Sequence, residues 1–195
     1  MDGSYCFIGE TVIYKRAIPD MEARIVMEYC DRRGIACVVS SGEDICVCNP
    51  CDEVYRIFHG LLNVDVLPVR SSREALEGKE IFQMNPFVSS EDERELSVIA
   101  ERCEINRWYP TLADITAKGN TKQRGIEEII RHIGVSRDET MAFGDAENDV
   151  GMLRYAGIGV AVGNADMNVC AAAGYVTSDV EKDGVADALR YFGVI

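Results

Sequence analysis

No apolar run in the 195 residues approaches the roughly 20 that a membrane-spanning helix needs. Basic residues are scarce: 20 Lys and Arg stand against 33 Asp and Glu, a formal net charge of −13. Phosphate backbones and anionic membrane surfaces attract clustered Lys and Arg, so neither nucleic acid nor membrane is expected as a partner. The opening Met1-Asp2-Gly3-Ser4 has no basic region and no apolar core, so no signal peptide is expected. Internal repeats and low-complexity linkers are also missing. What is present is ordinary for a globular chain, with 47% apolar and 27% charged residues and length for one or two domains. These features point to a soluble, cytoplasmic, acidic α/β protein.

Cysteine, by contrast, is plentiful. Eight cysteines in a chain expected in the cytosol read as free thiols rather than a disulfide framework. Cys6, Cys30, Cys37, Cys103 and Cys170 are scattered among apolar residues, whereas Cys46, Cys48 and Cys51 cluster as C-V-C-N-P-C. Such a cluster binds zinc only if a fourth ligand arrives, and neither His59 nor His132 is adjacent. Burial as small apolar side chains is the expected fate of these thiols.

Helical spacing at i, i+3, i+4, i+7 occurs in five segments. They are Ala23/Val26/Met27/Cys30, Val54/Ile57/Phe58/Leu61, Leu96/Ile99/Ala100/Cys103, Ile126/Ile129/Ile130/Ile133 and Val185/Ala188/Leu189/Phe192. Pro19 and Gly34 suit the start and end of the first. Ser90 with Glu93 gives a capping-box pattern before the third. Gly134 suits the end of the fourth, and Asp183 the cap of the fifth. Strand-like runs lie between: Tyr5–Ile8 and Thr11–Tyr14 around a Gly9-Glu10 turn, then Ile35–Val39, Ile45–Cys48, Ile81–Met84, Ile105–Tyr109, Thr140–Phe143, Ile158–Val162 and Tyr175–Thr177.

The texture changes near residue 115. Before it, paired strands alternate with helices, which predicts an α+β unit. Its helices near 20–33, 51–62 and 90–103 are expected on one face of an antiparallel sheet. After it, helices and strands strictly alternate, the rhythm of a doubly wound parallel sheet. The expected division is 1–117 and 118–195, with the boundary near Lys118-Gly119.

Chemistry concentrates in the second segment. Met141-Ala-Phe-Gly-Asp-Ala-Glu-Asn-Asp149 is an apolar strand running into G-D-A-E-N-D and then a helix. In open α/β sheets, ligands bind beyond the carboxyl ends of the strands. Asp145 falls at that end, with Asn148 and Asp149 in the first helical turn. Two carboxylates and an amide are hard oxygen ligands suited to Mg²⁺, or equally a capped helix start. Lys122 sits where a helix begins, against the macrodipole, so either an anion compensates it or it is solvated. Gly163-Asn164 follows the next strand, either touching the same site or making an ordinary turn.

Together these elements resemble the carboxyl half of the Cof-type phosphatases of the haloacid dehalogenase (HAD) superfamily. The resemblance rests on "K-G-N-T-K-x-x-G-I", "T-M-A-F-G-D-A-E-N-D-V-G-M-L", "G-V-A-V-G-N-A" and "V-T-S-D-V-E-K-D-G-V-A", which cover residues 115–195 almost continuously. Residues 1–114 are more loosely similar to that family's large cap, through "G-E-T-V-I-Y-K-R-A-I-P" and "R-W-Y-P-T-L-A-D-I". The implied fold is a partial HAD-like, Rossmann-type α/β core preceded by a large α+β cap. The implied roles are residue by residue. Lys122 neutralises the nucleophile and phosphoryl group, Asp145 binds Mg²⁺, Asp149 is a second metal ligand or its orienter, and Asn148 lies near the transferred phosphate. The implied chemistry is hydrolysis of small phosphate esters, often sugar phosphates, through an aspartyl-phosphate. Two other classes stay open: a non-catalytic module that kept phosphate or Mg²⁺ affinity, and a phosphomutase-type phosphotransferase.

One departure from the family pattern is large. Its members open on an apolar strand and D-x-D-G-T, whose first Asp is the nucleophile and whose second is the acid/base. No D-x-D-G-T occurs in these 195 residues. Asp2-Gly3-Ser4 can be aligned with the tail of that motif, with Ser40 or Ser41 as the phosphate hydroxyl. The Tyr5–Tyr14 hairpin fits the cap opening better, with Asp2-Gly3 where the family has Asn-Gly. Under either alignment the nucleophile is lacking. The chain alone is therefore expected to be inactive, with Thr140–Phe143 short of a strand partner and prone to self-association.

Overall fold

A computed structural model describes residues 1–42 and 44–195, with Trp108 described by its backbone alone. Two compact units result: Lys15–Gly119 with Met1 and Gly3–Tyr5, and Asn120–Ile195 with Asp2 and Cys6–Tyr14. β1 (Tyr5–Ile8) and β2 (Thr11–Lys15) form a two-stranded hairpin.

The first unit is built on a five-stranded antiparallel sheet. Its order is β4 (Ile45–Cys48), β3 (Cys37–Ser41), β5 (Ile81–Pro86), β7 (Leu112–Ala117) and β6 (Cys103–Tyr109). Successive side chains point to opposite faces. Cys37, Val39, Cys46, Cys48, Met84 and Ile115 meet Val26, Met27 and Cys30 of α1 (Asp20–Arg33), Leu76 of α3 (Ser72–Leu76) and Leu96 of α4 (Ser90–Ile99). Val38, Val47 and Leu112 point the other way. There they pack on Val54, Ile57 and Phe58 of α2 (Asp52–Val54) and the π-helical Tyr55–Leu61 that continues it.

The segment 51–62 therefore lies opposite α1 and α4, not beside them as the helical stripes led us to expect. The strands record why. Cys37–Val39 and Cys46–Cys48 are buried at three consecutive positions, the mark of a strand covered on both faces. Other boundaries shift for local reasons. Ile35 closes the end of α1 by donating its N–H to the Cys30 carbonyl at 2.9 Å, so β3 starts two residues later. The capping box before α4 uses Ser89 and Asp92 rather than Ser90 and Glu93, because S-S-E-D-E offers an acidic residue three positions on in two registers. α4 stops at Ile99, and Cys103 opens β6 instead of extending the helix. β7 escaped the periodicity because Asp114 and Thr116 interrupt its apolar residues.

The second unit carries three parallel strands in the order β10 (Tyr175–Val176), β9 (Ile158–Ala161), β8 (Met141–Gly144). The helices are α5 (Lys122–Ile133), α6 (Val150–Tyr155), α7 (Met167–Ala172) and α8 (Gly184–Tyr191). The fold class is α/β, with parallel strands and helices alternating in a Rossmann-type arrangement. Its buried apolar cluster is small: Ala142, Leu153, Ala156, Ala161 and Val169. The expected stripe on α5 is only half-covered, and Ile133 is 50% exposed. Asp183 stands at the start of α8 but makes no side-chain cap, because its backbone is left-handed at φ 60°. Among the described residues β8 pairs only with β9, leaving its other edge free. No described helix is long and apolar enough to cross a membrane.

Candidate active site

β8 ends at Gly144 and delivers Asp145 to the carboxyl end of the parallel sheet. A short 3-10 turn, Glu147–Asp149, then folds back before α6. That turn brings the Asp149 carboxylate against the strand tip. Its Oδ2 accepts from the backbone N–H groups of Asp145 at 3.0 Å and Ala146 at 3.2 Å. Its Oδ1 accepts from Lys122 Nζ at 2.6 Å. Lys122 is the first residue of α5, and Thr121 caps that helix by accepting from the Arg124 N–H at 3.0 Å. The lysine that runs against the helix dipole is thus compensated by a carboxylate rather than by solvent.

Gly144 is required by this approach. A Cβ there would lie 2.5 Å from the Asp149 Cβ and 2.8 Å from its Cγ. The G-D pair of the motif therefore has a packing reason: only glycine lets the turn close on the strand.

Asp149 is 3% exposed. Burial pushes its carboxyl up, but the Lys122 ammonium and the two backbone N–H groups together outweigh burial and hold it below the ordinary carboxylate range. A carboxyl held low in the folded state contributes stability above its unfolded value near 3.8, and loses it as pH falls through the folded value. The urea stability of the wild type relative to Asp149→Asn is therefore expected to be level between pH 5 and pH 7. It should shrink as pH drops below about 4. A difference that grew on acidification would contradict this arrangement.

Asp145 and Asn148 are exposed. Among the described residues the Asp145 side chain engages no hydrogen bond or ion pair. Asn148 Nδ2 donates to Asp2 Oδ1 at 3.4 Å. In the sequence Asp2 aligns either with the tail of D-x-D-G-T or with the family's Asn-Gly, and neither alignment predicts this contact. Lys122, Asp145 and Asp149 are therefore brought together, and Asn148 stands beside them. Asn164 is turned elsewhere: its Oδ1 accepts from the Val180 N–H at 3.1 Å and closes a turn.

Mg²⁺ is commonly held by one or two carboxylates and several waters. An exposed carboxylate with no protein partner at a strand tip fits that demand. The two oxygens of Asp149, both engaged, suit an orienting part better. Among the described residues no group of three or more His, Cys, Asp or Glu is arranged to hold a metal, and Cys46, Cys48 and Cys51 accordingly form no such centre. Cys46 and Cys48 are buried and Cys51 is exposed.

Residues 1–189 match a family described as haloacid dehalogenase-like hydrolase. The chain is 30% identical over 194 residues to a Bacillus subtilis (strain 168) protein named "Putative phosphatase YkrA", covering 100% of this chain and 74% of that one. The solved structure of BT4131, a HAD subclass IIB sugar phosphatase, aligns with a TM-score of 0.90 at 49% identity, over 100% of this chain and 75% of that one. BT1666 from Bacteroides thetaiotaomicron, from a study of HAD phosphatases, gives 0.84 at 34% identity, over 100% and 72%.

Proposed function

This chain belongs to the haloacid dehalogenase-like hydrolases, and on that premise we propose that its second unit carries the cationic and metal side of a Mg²⁺-dependent phosphatase site for small phosphate esters, sugar phosphates among them. The observation that carries the reading is the Lys122–Asp149 pair, locked by two backbone N–H groups, beside the open carboxylate of Asp145.

Each residue has a distinct part. An ammonium has three donors. Asp149 takes one of those on Lys122, leaving the others for phosphoryl oxygens. Asp149 itself is a positioning residue, holding both the lysine and the loop that presents Asp145. Asp145 would hold Mg²⁺, and Asn148 offers an amide beside it. Bound there, the metal would supply charge neutralisation for the phosphoryl group. The lysine adds a fixed positive charge that costs no reorganisation. Hydrolysis through an aspartyl-phosphate also needs a nucleophilic carboxylate, and no D-x-D-G-T stands in these residues. We therefore assign metal and phosphate binding, without efficient turnover, to the 195-residue chain. Eight free thiols agree with a cytoplasmic setting, and the free β8 edge with self-association.

An Mg²⁺ titration followed by amide NMR tests the metal assignment. Shifts are expected at residues 144–149 and around Lys122, and are expected to vanish in Asp145→Asn. Shifts that survive in Asp145→Asn, or that cluster elsewhere, would remove Asp145 from its role.

A further inference from the structure

In the first unit, a cleft of about 650 Å³ opens between α1 and α4. Helical spacing builds its walls. Tyr29, Arg32 and Arg33 stand at i, i+3 and i+4 on one face of α1. Arg94, Val98 and Ile99 stand at i, i+4 and i+5 on one face of α4.

Some of the charges here answer one another. Glu95 Oε2 accepts from Arg33 Nη2 at 2.6 Å and from Tyr29 Oη at 2.9 Å. Asp92 Oδ1 accepts from the same two side chains, from Arg33 Nη1 at 3.1 Å and from Tyr29 Oη at 2.8 Å. Arg33 also lies over the Tyr29 ring, 4.6 Å from its centroid. These contacts clamp the two helices and fix one wall of the cleft. Arg32 and Arg94 take no part in them. Among the described residues neither guanidinium has a hydrogen bond, an ion pair or an aromatic partner. Three guanidiniums, Arg32, Arg33 and Arg94, against two carboxylates, Asp92 and Glu95, leave one net positive charge. In a chain of net charge −13, that excess is local to the cleft.

The rest of the wall is apolar. Val98 is 70% exposed and Ile99 38% exposed, although Ile99 belongs to a stripe that its spacing predicts to be buried. Covering both with an apolar body is favourable. A guanidinium presents a planar fork of donors that matches a carboxylate. Inorganic phosphate or a free polyol would make no use of Val98 and Ile99. The volume lies within the range of about 300–1,000 Å³ usual for small-molecule sites.

We propose that the cleft between α1 and α4 binds a small organic carboxylate with an aliphatic or aromatic body. Arg32 and Arg94 hold the carboxylate, and the body lies on Val98 and Ile99. The proposal uses no residue of the second unit and does not depend on the phosphatase reading.

Amide NMR of the 195-residue chain, titrated with phenylacetate and with octanoate, tests this. Acetate supplies the charge without the body, and benzyl alcohol the body without the charge. At least one of the two larger carboxylates is expected to shift residues 29–33 and 94–99. Acetate and benzyl alcohol are expected to bind about tenfold or more weakly. The double replacement Arg32→Gln with Arg94→Gln is expected to weaken the carboxylate about tenfold or more. Val98→Ser, which keeps both arginines, is expected to weaken it about threefold. All three positions are exposed, so melting temperatures close to that of the wild type are expected. No shifts from either larger carboxylate, or shifts confined to other residues, overturns the proposal. So does affinity retained in the double variant, or benzyl alcohol binding as tightly as phenylacetate. Cleft shifts that follow protein concentration instead of ligand would mark a second copy as the occupant and overturn it as well.

Discussion

Assayed as a purified 195-residue chain, the protein is expected to hydrolyse p-nitrophenyl phosphate and hexose phosphates on the order of 10⁴- to 10⁶-fold more slowly than a phosphatase of this chemistry that carries the D-x-D-G-T nucleophile, the usual effect of a nucleophile in a coupled site. Lys122 can attract a phosphoryl group, and Asp145 would hold the Mg²⁺ that neutralises it; with Asp145 given to the metal, it is not the group that forms the covalent phosphoenzyme. Asp149 is committed through both oxygens to Lys122, Asp145 and Ala146, so it is not poised to attack. Mg²⁺-dependent turnover that disappears in Asp145→Asn would contradict the expectation and reveal a nucleophile elsewhere in these residues. Among the described residues β8 pairs on one edge only, and the α5 stripe is half-covered. Light scattering is accordingly expected to show association that weakens when Ile133, 50% exposed, is changed to Lys.

Gly144→Ala is expected to be among the most damaging single-atom changes in the second unit. The added methyl meets the Asp149 Cβ and Cγ at 2.5 and 2.8 Å, so the turn must retreat from the strand. Overpacking of this kind costs about 1–3 kcal/mol. Retreat also loosens Asp149 from Lys122 and from two backbone donors, and stranding a buried carboxylate adds roughly 2 kcal/mol. The Lys122 side chain is 34% exposed, so solvent screening moderates that second contribution. A total near 3 kcal/mol corresponds to a fall in melting temperature of about 6–12 °C for a chain of this size. Gly151→Ala is the control. It sits in α6, and its Cβ would meet only the flexible Gln123 side chain, with Oε1 at 3.4 Å. Alanine favours a helix by up to about 1 kcal/mol over glycine, so this variant is expected to be neutral or stabilising. Equal melting temperatures for the two variants would refute the packing account of the motif.

The second unit was legible in the sequence because its signals are local. An apolar strand, an acidic turn and a helix follow one another in order, and β8, α6 and β9 appear in that order. The charge pair was half-legible. Lys122 at a helix start announced a missing anion, but only the fold could identify it as Asp149, 27 residues away. In the first unit, sequence pattern failed where both sheet faces are covered, since Cys37–Val39 carries no alternation to say which face a helix takes. Asn85 and Asp114 lie 29 residues apart and meet only through strand register, so no local pattern announces them. The half-buried stripe of α5 is the reverse case: an apolar pattern that these residues do not bury.

Lys122 and Asp145, beside the tip of β8, are expected to receive phosphate and Mg²⁺ jointly. Calorimetric titration of the chain with inorganic phosphate, with and without Mg²⁺, measures this directly. Binding is expected to strengthen with Mg²⁺, to lose that enhancement in Asp145→Asn, and to weaken about tenfold or more in Lys122→Gln. Phosphate affinity that is the same in the wild type and both variants would contradict it.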